Sequence, residues 1–277
     1  MSYVFYQGKV RPLRQIKINP YDLGFLRGYA VFDVMKVVNQ KPFLIKEHWK
    51  RLKNSAQQLN MKMPLNCQEY RANVKQLLKY NKFSSAILRT VLSGGFSQDG
   101  FTYEGDTNFL IFLENAEPLF PSHKVYTQGS KIISVHYKRE IPTAKVTNYL
   151  EALRYQKEKK KNKALEIVFF WENLVLEAST SNIFIVKKST IITPRENILL
   201  GITRNLVIKL AQKNKFLVKE RDIKIKELFQ ADEVFLTASN KNIVPVVKVD
   251  NKLIKNGKVG RVTQKLMDIM QDYLKKY

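Results

Sequence analysis

The sequence predicts an α/β protein of two domains, each a mixed sheet with helices packed against it. Three observations carry that prediction. Strand-like and helical patterns are interleaved from one end of the chain to the other, as layered α/β architectures require. The pattern stops at "NAEPLFPSHK", residues 115–124, where two prolines and mixed polarity mark a linker, and then restarts. A chain of 277 residues with 44% apolar residues is long enough for two cores. The expected division is a smaller N-terminal domain over 1–114, a linker over 115–124 and a larger C-terminal domain over 125–277.

Taken in order, "YVFYQGKV" reads as a hairpin turning at Gln7-Gly8, and "AVFDVMKVVNQKPFLI" as a second turning at Asn39-Gln40. In "KEHWKRLKNSAQQLNM", Trp49, Leu52, Ala56 and Leu59 recur at spacings of three or four, which places them on one helix face. "NCQEYRANVKQLLKY" opens with Asn66 and carries Glu69 three residues later, the pattern of a capping box, with Tyr70, Val74, Leu77 and Leu78 as the apolar stripe. "SAILRTVLSGG" and "TNFLIFLE" are strands. Beyond the linker come strand "KIISVHY", a helix over about 148–162, and strands "EIVFFWENLVLEA" and "NIFIVKKSTIITP". Helix "TRNLVIKLAQKN", strands "EVFLTAS" and "IVPVVKVDNKLI", and a closing helix "RVTQKLMDIMQDYLKKY" complete the chain. These mixed patterns fit two domains better than one doubly wound parallel sheet.

Composition narrows the function. The 48 Lys and Arg against 24 Asp and Glu give a formal charge of +24, which raises the question of nucleic acid. The lysines are dispersed, however, and the one dense run, "KEKKKNK" at 157–163, belongs to a helical pattern. The chain reads as a lysine-rich solvated surface whose field draws in small anions, with no nucleic-acid partner. Cys67 is alone, which excludes an internal disulfide, and His48, His123 and His136 lack metal-ligand spacing, so no metal is expected. No stretch approaches a membrane span, and the N-terminus lacks a signal-peptide layout, so the expected location is the cytoplasm.

Two segments suggest chemistry. "LLGITRNLV" at 199–207 places Gly201 and Thr203 at the start of an amphipathic helix, where unpaired N–H groups and the positive dipole end suit a phosphate, although plain capping explains the same residues. "LEASTSNIFIV" at 176–186 sets Glu177, Ser179, Thr180, Ser181 and Asn182 between two apolar runs. A turn accounts for Ser, Thr and Asn but not for a carboxylate ending a strand. Such a carboxylate would be stable beside a cationic ring nitrogen and would keep it protonated.

"EASTSNIF", then "IITP", then "LLGITR" resemble the signature of class IV aminotransferases, the pyridoxal-phosphate enzymes of fold type IV. "EHWKRLKNSA", "AKVTNYL", "ADEVFLTASNKNIVPV" and "VDNKLIKNGKVG" extend the resemblance over nearly the whole chain. That family includes branched-chain and D-amino-acid aminotransferases, amine transaminases and aminodeoxychorismate lyase. The resemblance implies pyridoxal 5′-phosphate held mainly by the C-terminal domain, amino-acid and 2-oxo-acid substrates, and a homodimer. It places Lys145, in "EIPTAKVTNYL", on the lysine that forms a Schiff base with the cofactor aldehyde, for which partial burial would supply a lowered pKa. Glu177 falls on the acid that pairs with the pyridine nitrogen. Arg51 falls on the phosphate arginine, Ile202 and Thr203 on the helix-start half of the phosphate cup, and Ser239 on its remaining hydroxyl. Ser181 and Asn182 match cofactor-binding positions, and Tyr149 matches a tyrosine that reaches the phenolic oxygen.

The substrate side is less conventional. The Arg-x-His trap of the best-known D-amino-acid enzymes is absent from "SGGFSQDGF", and the phenylalanine-glutamate-glycine run of branched-chain enzymes is replaced by Phe32-Asp33-Val34. Arg27 and Arg89 resemble the arginines of a less common group of D-amino-acid aminotransferases, where they clamp the substrate carboxylate. Arg89 also has a counterpart in branched-chain enzymes. The expectation is a D-amino-acid aminotransferase, with a branched-chain L-amino-acid aminotransferase as the alternative, ahead of a lyase or an amine transaminase.

Overall fold

The computed structural model describes all residues except Met1, Lys82 and Ser84, and the backbone alone of Pro118. The chain divides into two compact units, 1–119 with 144–148, and 120–143 with 149–277. Residues 144–148 lie within the expected C-terminal domain by position, yet they pack with the first unit. The physical reason is strand-like pairing. Phe32 N–H donates to the Lys145 carbonyl, Thr147 N–H donates to the Ala30 carbonyl, and Val31 and Val146 form a bridge.

The first unit contains β1 (Tyr3–Tyr6), β2 (Lys9–Pro12), α1 (Leu23–Arg27), β3 (Ala30–Val38), β4 (Lys41–Pro42), α2 (Ile45–Gln58), α3 (Cys67–Tyr80), β5 (Ala86–Ser93) and β6 (Asn108–Asn115). Its strands are ordered β2-β1-β6-β5-β3-β4 among the described residues, and all the pairings are antiparallel. The hairpin turns fall at Gln7-Gly8 and Asn39-Gln40, each with positive φ, the conformation that joins twisted antiparallel strands. Asn66 and Glu69 do form the capping box of α3. Period-2 alternation sends Val31, Met35, Leu88, Leu92, Phe109 and Ile111 into one core with Leu52, Ala56, Val74 and Leu77 of α2 and α3. The opposite face, with Phe32, Val34, Arg89, Val91 and Phe112, is only partly buried.

The second unit contains α4 (His123–Gln128), β7 (Ser130–His136), α5 (Leu150–Arg154), α6 (Gln156–Lys161), β8 (Glu166–Trp171), β9 (Leu174–Ala178), β10 (Asn182–Lys187), β11 (Thr190–Thr193) and α7 (Ile202–Lys213). It continues with β12 (Val218–Glu220), β13 (Ile223–Lys224), α8 (Ile225–Phe229), β14 (Glu233–Ala238), β15 (Asn242–Val249), β16 (Lys252–Leu253) and α9 (Arg261–Lys276). The sheet is mixed, in the order β12-β11-β10-β14-β15-β7-β8-β9-β13, with β7 parallel to both β15 and β8. β10 is buried on both faces from Asn182 to Val186, which explains its unbroken apolar run. The single helix expected over 148–162 is two short ones divided at Tyr155. "EIVFFWENLVLEA" and "NIFIVKKSTIITP" are each a hairpin, turning where Glu172, and Lys188 and Ser189, take positive φ.

Candidate active site

In the first unit, His48, Arg51 and Ser55 recur at spacings of three and four on α2 and so share one helix face. That face meets Asp33 of β3, which alternation turns inward and which is 1% exposed. Arg51 donates from Nε to Asp33 Oδ2 at 2.8 Å and from Nη2 to Oδ1 at 3.0 Å, a bidentate fork. His48 Nδ1 lies 2.5 Å from Asp33 Oδ1 and donates to it. Burial opposes the charge on Asp33, but Arg51 and His48 outweigh it and hold the carboxyl far below the usual range. Burial lowers the pKa of His48 despite Asp33, leaving a neutral imidazole at neutral pH. With Nε and Nη2 fixed on Asp33, the planar guanidinium turns its Nη1 edge away from that carboxylate.

Lys145 lies in the same neighbourhood, close enough for its charge to bear on His48. The residue is half-buried; its backbone N–H donates to Ser55 Oγ at 2.9 Å, its carbonyl accepts from Phe32 N–H at 2.9 Å, and its Nζ lies 4.4 Å from the Phe32 ring centroid. β3 and α2 therefore position both Lys145 and Arg51. Arg89 stands opposite Val34 on β5, with its guanidinium 5.9 Å from the Phe32 ring and its Nε donating to Glu114 at 2.9 Å. Arg27 ends α1, is exposed, and donates from Nε to the Gly100 carbonyl at 3.0 Å. The two arginines thus stand on different elements.

In the second unit, Glu177 is 4% exposed near the end of β9. Its Oε2 accepts from Leu199 N–H at 3.2 Å, and its Oε1 faces Arg139 Nε at 3.5 Å. Asn182 Nδ2 donates to the Leu199 carbonyl at 2.7 Å, so the two site residues grip one peptide strand just ahead of α7. Gly201 caps α7 without any side-chain bond, and a Cβ there would come within 2.0 Å of Asn182 Oδ1. Ile202 and Thr203 are buried in the first turn. The Arg139 guanidinium lies 5.3 Å from the Tyr149 ring and donates to the Ser179 carbonyl at 3.0 Å. Burial opposes the charge of Arg139, but Glu177 and Tyr149 outweigh it and raise its pKa. Ser239, just past β14, is half-buried. The Ser181 hydroxyl donates to Glu166.

A family model, amino-transferase class IV, matches residues 30–249. The chain belongs to the class IV aminotransferase family. It is 31% identical over 283 residues to a putative branched-chain-amino-acid aminotransferase of Methanocaldococcus jannaschii, covering 99% of this chain and 97% of that one. It is 30% identical over 255 residues to a D-alanine aminotransferase of Listeria monocytogenes, covering 88% of this chain and 86% of the relative. The solved branched-chain amino acid aminotransferase of Escherichia coli shares the fold at a TM-score of 0.90 and 23% identity, over 98% of this chain and 94% of that one.

The cofactor of this class IV aminotransferase is pyridoxal 5′-phosphate, and its residues fit that group. The glycine at the start of α7, where a Cβ would collide with Asn182, leaves the first helical N–H groups to an anion instead of a capping side chain. A buried carboxylate at Glu177 suits a protonated ring nitrogen, and a half-buried lysine suits an aldehyde. Sequence reasoning did not assign site roles to Asp33, His48, Ser55, Arg139, Glu166 or Lys241. His48, Arg51 and Ser55 did leave a signal, because polar residues repeat at helical spacing beside the apolar stripe of α2. Lys241 left none among so many lysines. Among the described residues, no helix is long and apolar enough to cross a membrane, and no group of His, Cys, Asp and Glu could hold a metal.

Proposed function

We propose that this aminotransferase moves the amino group of a D-amino acid to a 2-oxo acid such as 2-oxoglutarate in two half-reactions. When bound, the cofactor draws electrons from the substrate α-carbon and stores its nitrogen between those half-reactions. Lys145 Nζ would hold the cofactor aldehyde and would carry the substrate α-proton as base and then acid. The Phe32 ring and the Ser55 bond to its backbone aim that amine. Glu177 keeps a proton on the ring nitrogen, while Arg139 and the Leu199 N–H fix its carboxylate. Tyr149, steadied by Arg139, would bond to the phenolic oxygen. Arg51, Ile202, Thr203 and Ser239 would each serve the phosphate, and Ser181 and Asn182, bonded to Glu166 and to the Leu199 carbonyl, would support the cofactor-binding segments.

The observation that carries D-specificity is Arg27. Its guanidinium is fastened to Gly100, within the same "SGGFSQDGF" loop that lacks the usual trap, so a carboxylate-binding charge is supplied there from α1 instead. Phe25 on α1 and Phe96 and Phe101 in this loop are exposed, which fits a homodimer in which this surface closes the partner's site. Arg89 acts as the second half of the clamp. The alternative, a branched-chain L-amino-acid aminotransferase, is favoured by the pairing of Arg89 with Glu114, which matches its charge before any substrate arrives. We place the enzyme in the cytoplasm, where the lone Cys67 remains a thiol.

Purified protein should be yellow and should fix its cofactor on borohydride reduction, whereas Lys145→Ala should fix none. Incubation with 2-oxoglutarate should yield glutamate from D-alanine, and Arg27→Ala should raise KM for D-alanine by about tenfold or more, as loss of a charged hydrogen bond does. Glutamate formed from L-leucine alone would overturn the D-amino-acid reading and leave the branched-chain one.

A further inference from the structure

The buried pair Glu166–Lys241 lies outside every role assigned above. Glu166 opens β8 and is 3% exposed, and Lys241 follows Ser239 by two residues and is 9% exposed. Lys241 Nζ is ion-paired with Glu166 Oε1 and donates to Thr180 Oγ1 at 2.7 Å. Glu166 also accepts from Ser179 Oγ at 3.1 Å, from Thr180 N–H at 2.9 Å, from Thr180 Oγ1 at 3.0 Å and from Ser181 Oγ. Burial opposes its charge, but Lys241, Ser181 and Thr180 outweigh it and lower its pKa. The backbone of Lys241 is fixed as well. Its N–H donates to the Ala238 carbonyl at 3.1 Å, and its carbonyl accepts from Tyr126 Oη at 3.0 Å.

This one carboxylate therefore ties together two turns that are far apart in sequence. One, 179–181, follows Glu177 and precedes Asn182; the other, 239–241, contains Ser239. Taking both charges out of water is costly, and an apolar pair of similar volume holds a fold equally well or better. Stability alone therefore gives no reason for a lysine here. What an ion pair with several directed donors adds is a defined separation and orientation of the two turns.

We infer that Lys241 is a positioning residue, which through Glu166 locks the 239–241 turn against the 179–181 turn and so places the Ser239 hydroxyl to receive the cofactor phosphate. The inference rests on the proposed phosphate role of Ser239. Lys241 itself touches no reacting atom. It acts on how well a phosphate is recognised, and the ring nitrogen and aldehyde are held by other residues.

The test compares pyridoxal 5′-phosphate with pyridoxal, which lacks the phosphate, as ligands of the full chain freed of cofactor. Wild type should prefer the phosphorylated form. Lys241→Met should weaken pyridoxal 5′-phosphate by about tenfold while changing pyridoxal by less than about threefold. Lys241→Arg, which keeps the charge, should restore most of the preference, and Glu166→Gln should act in the same direction as Lys241→Met. An unchanged preference in Lys241→Met overturns the inference, as does an equal loss for both ligands. If Lys241→Met does not fold, Lys241→Arg and Glu166→Gln carry the same comparison. A wild type with no preference between the ligands would instead overturn the phosphate assignment in the proposed function.

Discussion

Asp33 and Glu166 are both buried carboxylates paired with a cation, one in each unit, and they use their oxygens differently. Asp33 takes a two-pronged guanidinium and one imidazole, all on a single face of α2. Glu166 takes an ammonium, three hydroxyls and a backbone N–H from two separate turns. The first arrangement orients a charge, because a fork bound along one edge of Arg51 presents the other edge. The second neutralises its cation and fixes backbone. A buried ion pair thus does not by itself mark a reacting group; the donor set around the carboxylate shows what it is for.

Removing Asp33 is the largest break in this comparison. Asp33→Ala leaves Arg51 unpaired at a largely buried site and should cost about 3–5 kcal/mol in denaturant unfolding at pH 7. It should also weaken cofactor binding nearly as much as Arg51→Ala does. The pH dependence follows from the depressed pKa of Asp33. The stabilisation is complete above the ordinary carboxylate value, near about 4, and is lost as pH falls through the lower folded value. Unfolding curves between neutral and acid pH should show wild type losing that increment, whereas Asp33→Asn has none to lose. A wild-type-like cofactor affinity in Asp33→Ala would mean that Arg51 is aimed by something else.

Much of this was legible in the sequence, and the missing part has a physical pattern. Strands, hairpin turns and the α3 cap follow from local rules, and they appear where period, Asn-Gln and Gln-Gly turns, and Asn66-Glu69 place them. Lys145, Glu177 and Gly201 stood out because each breaks a local rule, as a charge or a glycine among apolar or strand-like neighbours. The partners of these residues did not stand out. Arg139 meets Glu177 across 38 positions and Lys241 meets Glu166 across 75, pairings set by sheet topology that no window contains. Residues 144–148 joined the first unit for the same reason, through a bridge between Val31 and Val146.

Lys36 gives an intermediate effect and sharpens the contrast with Lys241. Its side chain is buried on β3, with Nζ 4.9 Å from the Phe43 ring centroid, and burial pushes its pKa down to about 7. Lys241 pairs with the carboxylate of Glu166. Between about 7 and the ordinary lysine value near 10, the unfolded chain binds a proton that the folded chain does not, so stability should rise with pH across that window. Lys36→Met should flatten that rise and raise stability at pH 7 by on the order of 1–3 kcal/mol. Denaturant midpoints at pH 7 and pH 9 would check both effects, and a wild-type midpoint that does not rise would show that the ammonium is accommodated at neutral pH.

The smallest effect separates two helix starts. At α3, Asn66 Oδ1 accepts from Gln68 N–H at 2.8 Å and from Glu69 N–H at 3.0 Å, and Glu69 returns a bond to Asn66 N–H at 2.7 Å. At α7, Gly201 offers no side chain, and any Cβ would strike Asn182. One helix satisfies its first N–H groups with a capping side chain; the other has no such side chain, which suits the phosphate role proposed for it. Asn66→Ala should therefore cost about 1 kcal/mol of stability and leave the affinity for pyridoxal 5′-phosphate unchanged. The cap lies on an exposed helix end of the first unit, so an accompanying fall in cofactor affinity would show that the α3 start also supports the site. Paired measurements of unfolding and cofactor titration on this variant decide whether the two helix starts are independent.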